Sequence, residues 1–176
     1  MYEKLNSALT SLKKIISCES CDLASCCCDT GYVYLLPFEV NYYKQKSFPL
    51  VEYDGIYFFK KDNGNCIFFS KRNKTCEIYQ DRPIICRMFP IDLSFKNDQL
   101  IWNFFSQCPY ISENARLSNY RELGKIVSLF ERHLNNEIIL QYKKTLLVYS
   151  KLEPKFLYQK KYVHFRNLKP SCFPIN

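Results

Sequence analysis

Residues 18–28 read CESCDLASCCC, five cysteines in eleven positions, Cys18, Cys21, Cys26, Cys27 and Cys28. Cys18 and Cys21 have the C-x2-C spacing (CxxC), which lets two thiolates reach one ion from a tight turn. Thiolates are soft ligands, and several of them converging from one short loop suit zinc or an iron–sulfur cluster. Adjacent cysteines in extended chain point to opposite sides, so neighbours serve two sites, or one ligates while the other packs. Further along, Cys66, Cys76 and Cys86 follow at ten-residue intervals, and then Cys108. These can supply the remaining ligands, and the expected fold is one built around that meeting of sulfurs. Both histidines, His133 and His164, lie outside the cysteine region. A site here is therefore sulfur-rich, with Asp22 or Asp29 as the carboxylates within reach.

Two other uses of cysteine compete with this reading. A thiol also packs as a small apolar residue, the plain reading of Cys172 and an open one for Cys28. Ten cysteines is an even number, as a disulfide-stapled secreted domain requires. Against disulfides stand the adjacent cysteines and an N-terminal stretch, MYEKLNSALTSLKKIIS, without the apolar core of a signal peptide. No run of residues approaches transmembrane length. The expectation is a cytoplasmic protein, where clustered cysteines bind metal more often than they pair.

The 176 residues, 47% hydrophobic and 16% aromatic, suffice for a single domain with its own core. The charge is unevenly placed. Residues 1–140 carry 17 basic and 16 acidic side chains, a net of +1, and residues 141–176 carry 8 and 1, a net of +7. The tail, residues 154–176, mixes Phe156, Tyr158, Tyr162 and Phe165 with Lys155, Lys160, Lys161 and Arg166. Cations among stacking rings suit RNA or an acidic protein or peptide. The plainer reading is a strand or extended arm lying on the domain.

Periodicity predicts an α+β fold. Leu5, Leu9, Leu12 and Ile16 make a helical stripe. Tyr32–Leu36 reads as a strand, and Pro37 suits the first position of a short helix over 38–46. Asp54-Gly55 turns a hairpin of 50–53 with 56–60, and Asn63-Gly64 a second turn before a strand over 66–69. Residues 70–75 read as polar loop. Pro83 and Pro90 bracket at most two helical turns around Cys86. A hairpin of 91–96 with 100–104 follows, turned at Asn97-Asp98. Helical spacing then runs from Ser112 to about Ser150, with Ser112 or Ser118 as the cap and a break near Asn135-Asn136. The expected architecture is a small antiparallel sheet with cysteine-bearing loops, packed against an N-terminal helix and long C-terminal helices. Its parts are the metal-binding core 18–110, the helical part 112–153 and the basic tail.

These residues resemble the YkgJ-type cysteine-cluster family, described as zinc- or iron-chelating. The likeness rests on Cys18, Cys21, Cys26 and Cys27, on the isolated Cys66, and on the block CEIYQDRPIICRMFP from Cys76 to Pro90. It ends at Cys108-Pro109. The gap before the adjacent cysteines is longer than the family's, and Cys28 is additional, so the matching pair is Cys26/Cys27 or Cys27/Cys28. The resemblance implies metal chelation in the cytoplasm, by an iron–sulfur cluster (4Fe-4S) or Zn2+. Its ligands would be Cys18, Cys21, Cys26, Cys27, Cys66, Cys76, Cys86 and Cys108.

Flagellin lysine N-methylases look like distant relatives, which implies S-adenosylmethionine chemistry on a protein side chain. The chain has neither the C-x3-C-x2-C spacing of radical enzymes nor a GxGxxG loop. Within the block, Arg82 and Arg87 can hold an anionic substrate or a cofactor carboxylate. They can equally offset thiolate charge or cap carbonyls. The alternative to an enzyme is a zinc-stabilised module that presents the basic tail to an acidic partner, or a protein of metal storage and delivery.

Overall fold

The computed structural model describes residues 2–16, 33–63, 65–96, 99–105, 108, 117–134, 136–152 and 162–167. Helix α1, Tyr2–Ile15, buries Ala8, Leu9 and Leu12 on one stripe and leaves Lys13 and Lys14 exposed. It packs against α4, Leu117–Glu131.

Helix α2, Pro37–Gln45, starts on its proline, whose fixed φ and missing N–H suit a first helical turn. It ends at Ser47, which takes φ +55 while its N–H reaches the Lys44 carbonyl at 2.9 Å.

Three two-stranded hairpins follow. Strands β1, Leu50–Tyr53, and β2, Ile56–Phe59, are joined at Asp54 and Gly55, with φ +50 and +74. Both take the left-handed conformation that a two-residue hairpin turn of matching twist requires. Residues 33–35 run along the other edge of β2. The Leu35 N–H donates to the Tyr57 carbonyl at 2.8 Å, and the Phe59 N–H to that of Val33 at 2.9 Å. The strand expected over 32–36 is thus present as a short bridge.

The second hairpin pairs β3, Lys61–Asp62, with β4, Asn65–Cys66, and the third pairs β5, Phe69–Ser70, with β6, Thr75–Cys76. The strand expected over 66–69 breaks at 67–68. The chain turns there and Phe68 enters a ring cluster, 5.0 Å from both Phe48 and Phe59. The polar run after Ser70 is the loop of the third hairpin.

Helix α3, Ile84–Met88, is a single short segment between Pro83 and Pro90, and the Phe89–Pro90 peptide is cis. A three-stranded antiparallel sheet then forms in the order β7 (Ile91–Lys96), β8 (Gln99–Phe105), β9 (Tyr162–Asn167). Among the described residues the strands thus form four small antiparallel sheets rather than one, and residues 162–167 of the tail are the last strand of the three-stranded sheet. Helix α5, Asn136–Leu152, follows α4 after a break at 132–134, and Leu117 opens α4, which puts Ser118 in the first turn rather than at the cap. Ser112 lies outside the described residues.

Two apolar clusters organise the interior. The larger gathers α1, α3, α4, α5 and the three-stranded sheet around fully buried Trp102. The Trp102 Nε1–H donates to Glu131 Oε1 at 3.1 Å, tying β8 to α4. The smaller holds Val33, Leu35, Val40, Tyr43, Phe59 and Cys66. Ile85 packs against both. Among the described residues no helix is long and apolar enough to cross a membrane.

Candidate metal centre

Each described cysteine is placed by a different element. Cys66 ends β4, paired with Lys61, and is buried. Cys76 ends β6, paired with Phe69, and is half-buried. Cys86 sits mid-way through α3, also half-buried. These three sulfur-bearing side chains all belong to, or pack on, the smaller cluster. Cys108 belongs to the other cluster. It is buried in the larger cluster, and its N–H donates to the Phe105 carbonyl at 3.1 Å.

No two of these four are joined in a disulfide. Among the described residues no three His, Cys, Asp or Glu side chains form a metal-holding group by themselves. Cys18, Cys21, Cys26, Cys27 and Cys28, with Asp22 and Asp29, lie outside the described residues. His133 closes α4, half-buried, with its N–H on the Phe130 carbonyl at 2.9 Å.

The residues that flank 17–32 are held in place. On the upstream side, Ile16 is buried in the larger cluster. Lys13, one helical turn before it, lies 5.5 Å from the Tyr79 ring and donates to Gln80 Oε1 at 3.4 Å. On the downstream side, Val33 packs in the smaller cluster with Cys66, Cys76 and Cys86. Ile16 and Val33, the residues on either side of 17–32, thus both pack in clusters that contain side chains of the Cys76–Pro90 block.

That block is held by α2. The buried carboxylate of Glu39 accepts from the Leu36 N–H at 3.2 Å and the Ile84 N–H at 2.8 Å. One side chain thus satisfies orphan donors at the starts of two helices, α2 and α3. Burial pushes its pKa up from 4.5 to about 7, against the two N–H bonds and the nearby Arg87 charge, which pull it down. Asp81 is fixed as firmly. Its carbonyl accepts from the Tyr43 hydroxyl at 2.9 Å, and its carboxylate from Tyr42 at 2.8 Å and Lys46 at 2.9 Å. Those two donors hold the exposed Asp81 carboxyl below its ordinary range.

Arg82 is buried, stacked 3.6 Å over the Tyr79 ring, with its Nε–H on the Tyr79 carbonyl at 2.9 Å. Arg87 is half-buried in α3. From the other side, the buried Tyr142 of α5 donates to Met88 Sδ at 3.3 Å. Its phenol is pushed well up by burial and by the negative charges of Glu39 and Asp92.

Glu39 and Asp81 escaped the sequence reading, which concentrated on sulfur and on the arginines. The signal was present: an acidic residue three positions into a helix opened by proline marks a self-capping start.

The donors gathered here are thiols in an apolar setting with no histidine among the described neighbours, the donor chemistry of zinc and iron rather than of hard cations. Fold and site define the class, an α+β protein that brings cysteines from separate elements to one apolar cluster. The chain belongs to the CxxCxxCC family, "Putative zinc- or iron-chelating domain", whose model matches residues 17–109. This is the family that the sequence resembles through its CxxC opening and Arg-Pro block. No curated protein and no solved structure matches the chain.

Proposed function

We propose that the chain is a metalloprotein in which Cys18, Cys21, Cys26, Cys27, Cys66, Cys76, Cys86 and Cys108 supply the thiolate ligands of one or two sites, each holding four-coordinate zinc or an iron–sulfur cluster of 4Fe-4S type. One observation carries this reading. The residues that flank 17–32 are held beside the block bearing Cys76 and Cys86, and Val33 shares its cluster with Cys66, Cys76 and Cys86. The described thiols lack a complete ligand set, and Cys18, Cys21, Cys26 and Cys27 are what completes it. The apolar rings around them exclude water, which stabilises thiolate–metal bonds against hydrolysis and oxidation.

Metal analysis and absorption spectra of anaerobically purified protein test the reading. A brown protein with charge-transfer absorption near roughly 400 nm indicates a cysteine-held iron–sulfur centre. A colourless protein with stoichiometric zinc indicates the zinc form. Protein that folds and binds neither metal overturns it.

The likeness to lysine N-methylases carries a finer proposal, a cytoplasmic enzyme that uses S-adenosylmethionine on a protein side chain, with Arg82 and Arg87 near its anionic groups. Calorimetric titration of the metal-loaded protein with that cofactor tests it. A second reading is favoured by β9: a non-catalytic zinc-stabilised module whose basic tail is presented on a strand held in the sheet. Its partner would be an acidic protein, peptide or RNA, and titration with polyanionic peptide and single-stranded RNA decides it.

A further inference from the structure

Arg82 is a buried cation, 6% exposed, in the middle of the Cys76–Pro90 block. Its Nε–H donates to the Tyr79 carbonyl and its guanidinium lies over the Tyr79 ring, so one orientation is fixed. A carbonyl and a ring face attract a cation but do not neutralise it. Arginine keeps its charge when buried, and a buried charge is costly unless an opposite one is close.

The acids nearest in the fold are already matched. Asp81, its neighbour in the chain, gives its carboxylate to Tyr42 and Lys46 at the surface. Glu39 accepts from two backbone N–H groups, and the cation that acts on it is Arg87. Lys13 Nζ lies 5.5 Å from the same Tyr79 ring, but Lys13 is exposed and solvent screens it. Among the described residues no carboxylate pairs with Arg82.

The opposite charge is on the sulfur. Arg82 stands six residues after Cys76 and four before Cys86. Four residues span at most about 14 Å. Cys76 and Cys86 both pack on the smaller apolar cluster. Four thiolates around Zn2+, or around a cluster core of the same charge, leave a net charge of about −2. Such an anion in an apolar setting needs a cation as much as Arg82 needs an anion.

We infer that Arg82 is the counter-ion of the thiolate centre, a residue that ligates no metal and stabilises the negative charge of the sulfurs that do. This role rests on the ligand assignment proposed above. A unit charge about 10 Å away in a partly desolvated interior shifts an equilibrium by about tenfold, which sets the size of the effect.

The experiment compares Arg82→Gln with Arg82→Lys in the full-length, metal-loaded protein. Glutamine keeps a donor for the Tyr79 carbonyl and removes the charge. Lysine keeps the charge and loses the flat stack on the ring. In the zinc form, competition with a chromophoric chelator reads the affinity. Arg82→Gln should bind zinc about tenfold more weakly, and Arg82→Lys should stay within about threefold of wild type. In the iron–sulfur form, a dye-mediated redox titration reads the potential. Reduction adds a negative charge, which Arg82 favours. Arg82→Gln should therefore shift the one-electron couple about tenfold toward the oxidised form, a potential lower by about 59 mV, and Arg82→Lys should stay near wild type. A role in packing alone predicts a lower melting temperature in both variants, with affinity and potential unmoved or moved alike. Wild-type affinity and potential in Arg82→Gln overturn the inference, and so do equal changes in the two variants. Should Arg82→Gln not fold, Arg82→Lys decides: metal properties like those of wild type are expected, and a tenfold loss overturns the role. A wild-type protein that binds neither metal fails at the ligand assignment itself, before any variant is compared.

Discussion

Glu39 shows how much a single side chain carries. Its carboxylate joins the start of α2 to the start of α3, and α3 bears Cys86. Glu39→Gln keeps the shape but presents an NH2 to one of the two N–H groups, leaving a buried donor unpaired. We expect a loss of about 1–3 kcal/mol in denaturant unfolding. The pH dependence follows from the raised pKa. Between 4.5 and about 7 the folded chain holds the Glu39 proton that the unfolded chain has lost. Stability should therefore be greatest below 4.5, fall as pH rises through that window, and level off above it. The difference between wild type and Glu39→Gln should carry this slope, on the order of 3 kcal/mol across it.

At the same scale, Cys86→Ser or Cys21→Ser should cost metal and stability together, measured as metal per chain and melting temperature. Cys172→Ser, outside the matched region, should retain both. Unchanged metal content in Cys21→Ser and Cys86→Ser alike would overturn the ligand assignment. At residue level the sulfurs were legible, because spacing alone announces them. Glu39 was not, because its second partner, Ile84, is 45 positions away.

Elements were legible where local chemistry dictates them. The Asp54-Gly55 turn, the proline-opened α2, the proline-bracketed α3 and the β7–β8 hairpin all stand where periodicity and turn residues put them. The strand expected to run through 67–68 broke, since the pull of the Phe48–Phe59–Phe68 rings outweighs weak local preference. The link between β8 and α4 is likewise tertiary. Glu131→Ala removes the acceptor of the Trp102 indole N–H and should destabilise by about 1–3 kcal/mol. Trp102 is the sole tryptophan, so its emission reports the change directly.

At the scale of the molecule, two apolar clusters meet at Ile85, beside Cys86. Packing in the two clusters is thereby coupled through α3, which bears Cys86. Residues 162–167 belong with the larger of these. Residues 162–167 pair with β8, whose residues from Leu100 to Phe105 are all buried. Removing residues 155–176 should uncover that strand, lower the melting temperature by roughly 2–4 °C for each kcal/mol lost, and promote aggregation. Metal per chain should persist, because no described cysteine lies on β9. Loss of metal with the tail would show that the sheet and the cysteine cluster fold as one unit.

The sequence by itself determined the α+β class, the turns, the cysteine inventory and the family, all of them properties of residue type and short-range spacing. Only the tertiary structure decided that the described strands fall into four sheets, that residues 162–167 close one of them, and that Cys66, Cys76 and Cys86 share a cluster that Cys108 does not. It also decided that one glutamate serves two helices. The physical reason is range: a turn or a helical stripe is fixed by interactions over a few residues. Which apolar faces meet, and which buried donors a distant carboxylate must satisfy, depends on how the whole chain packs.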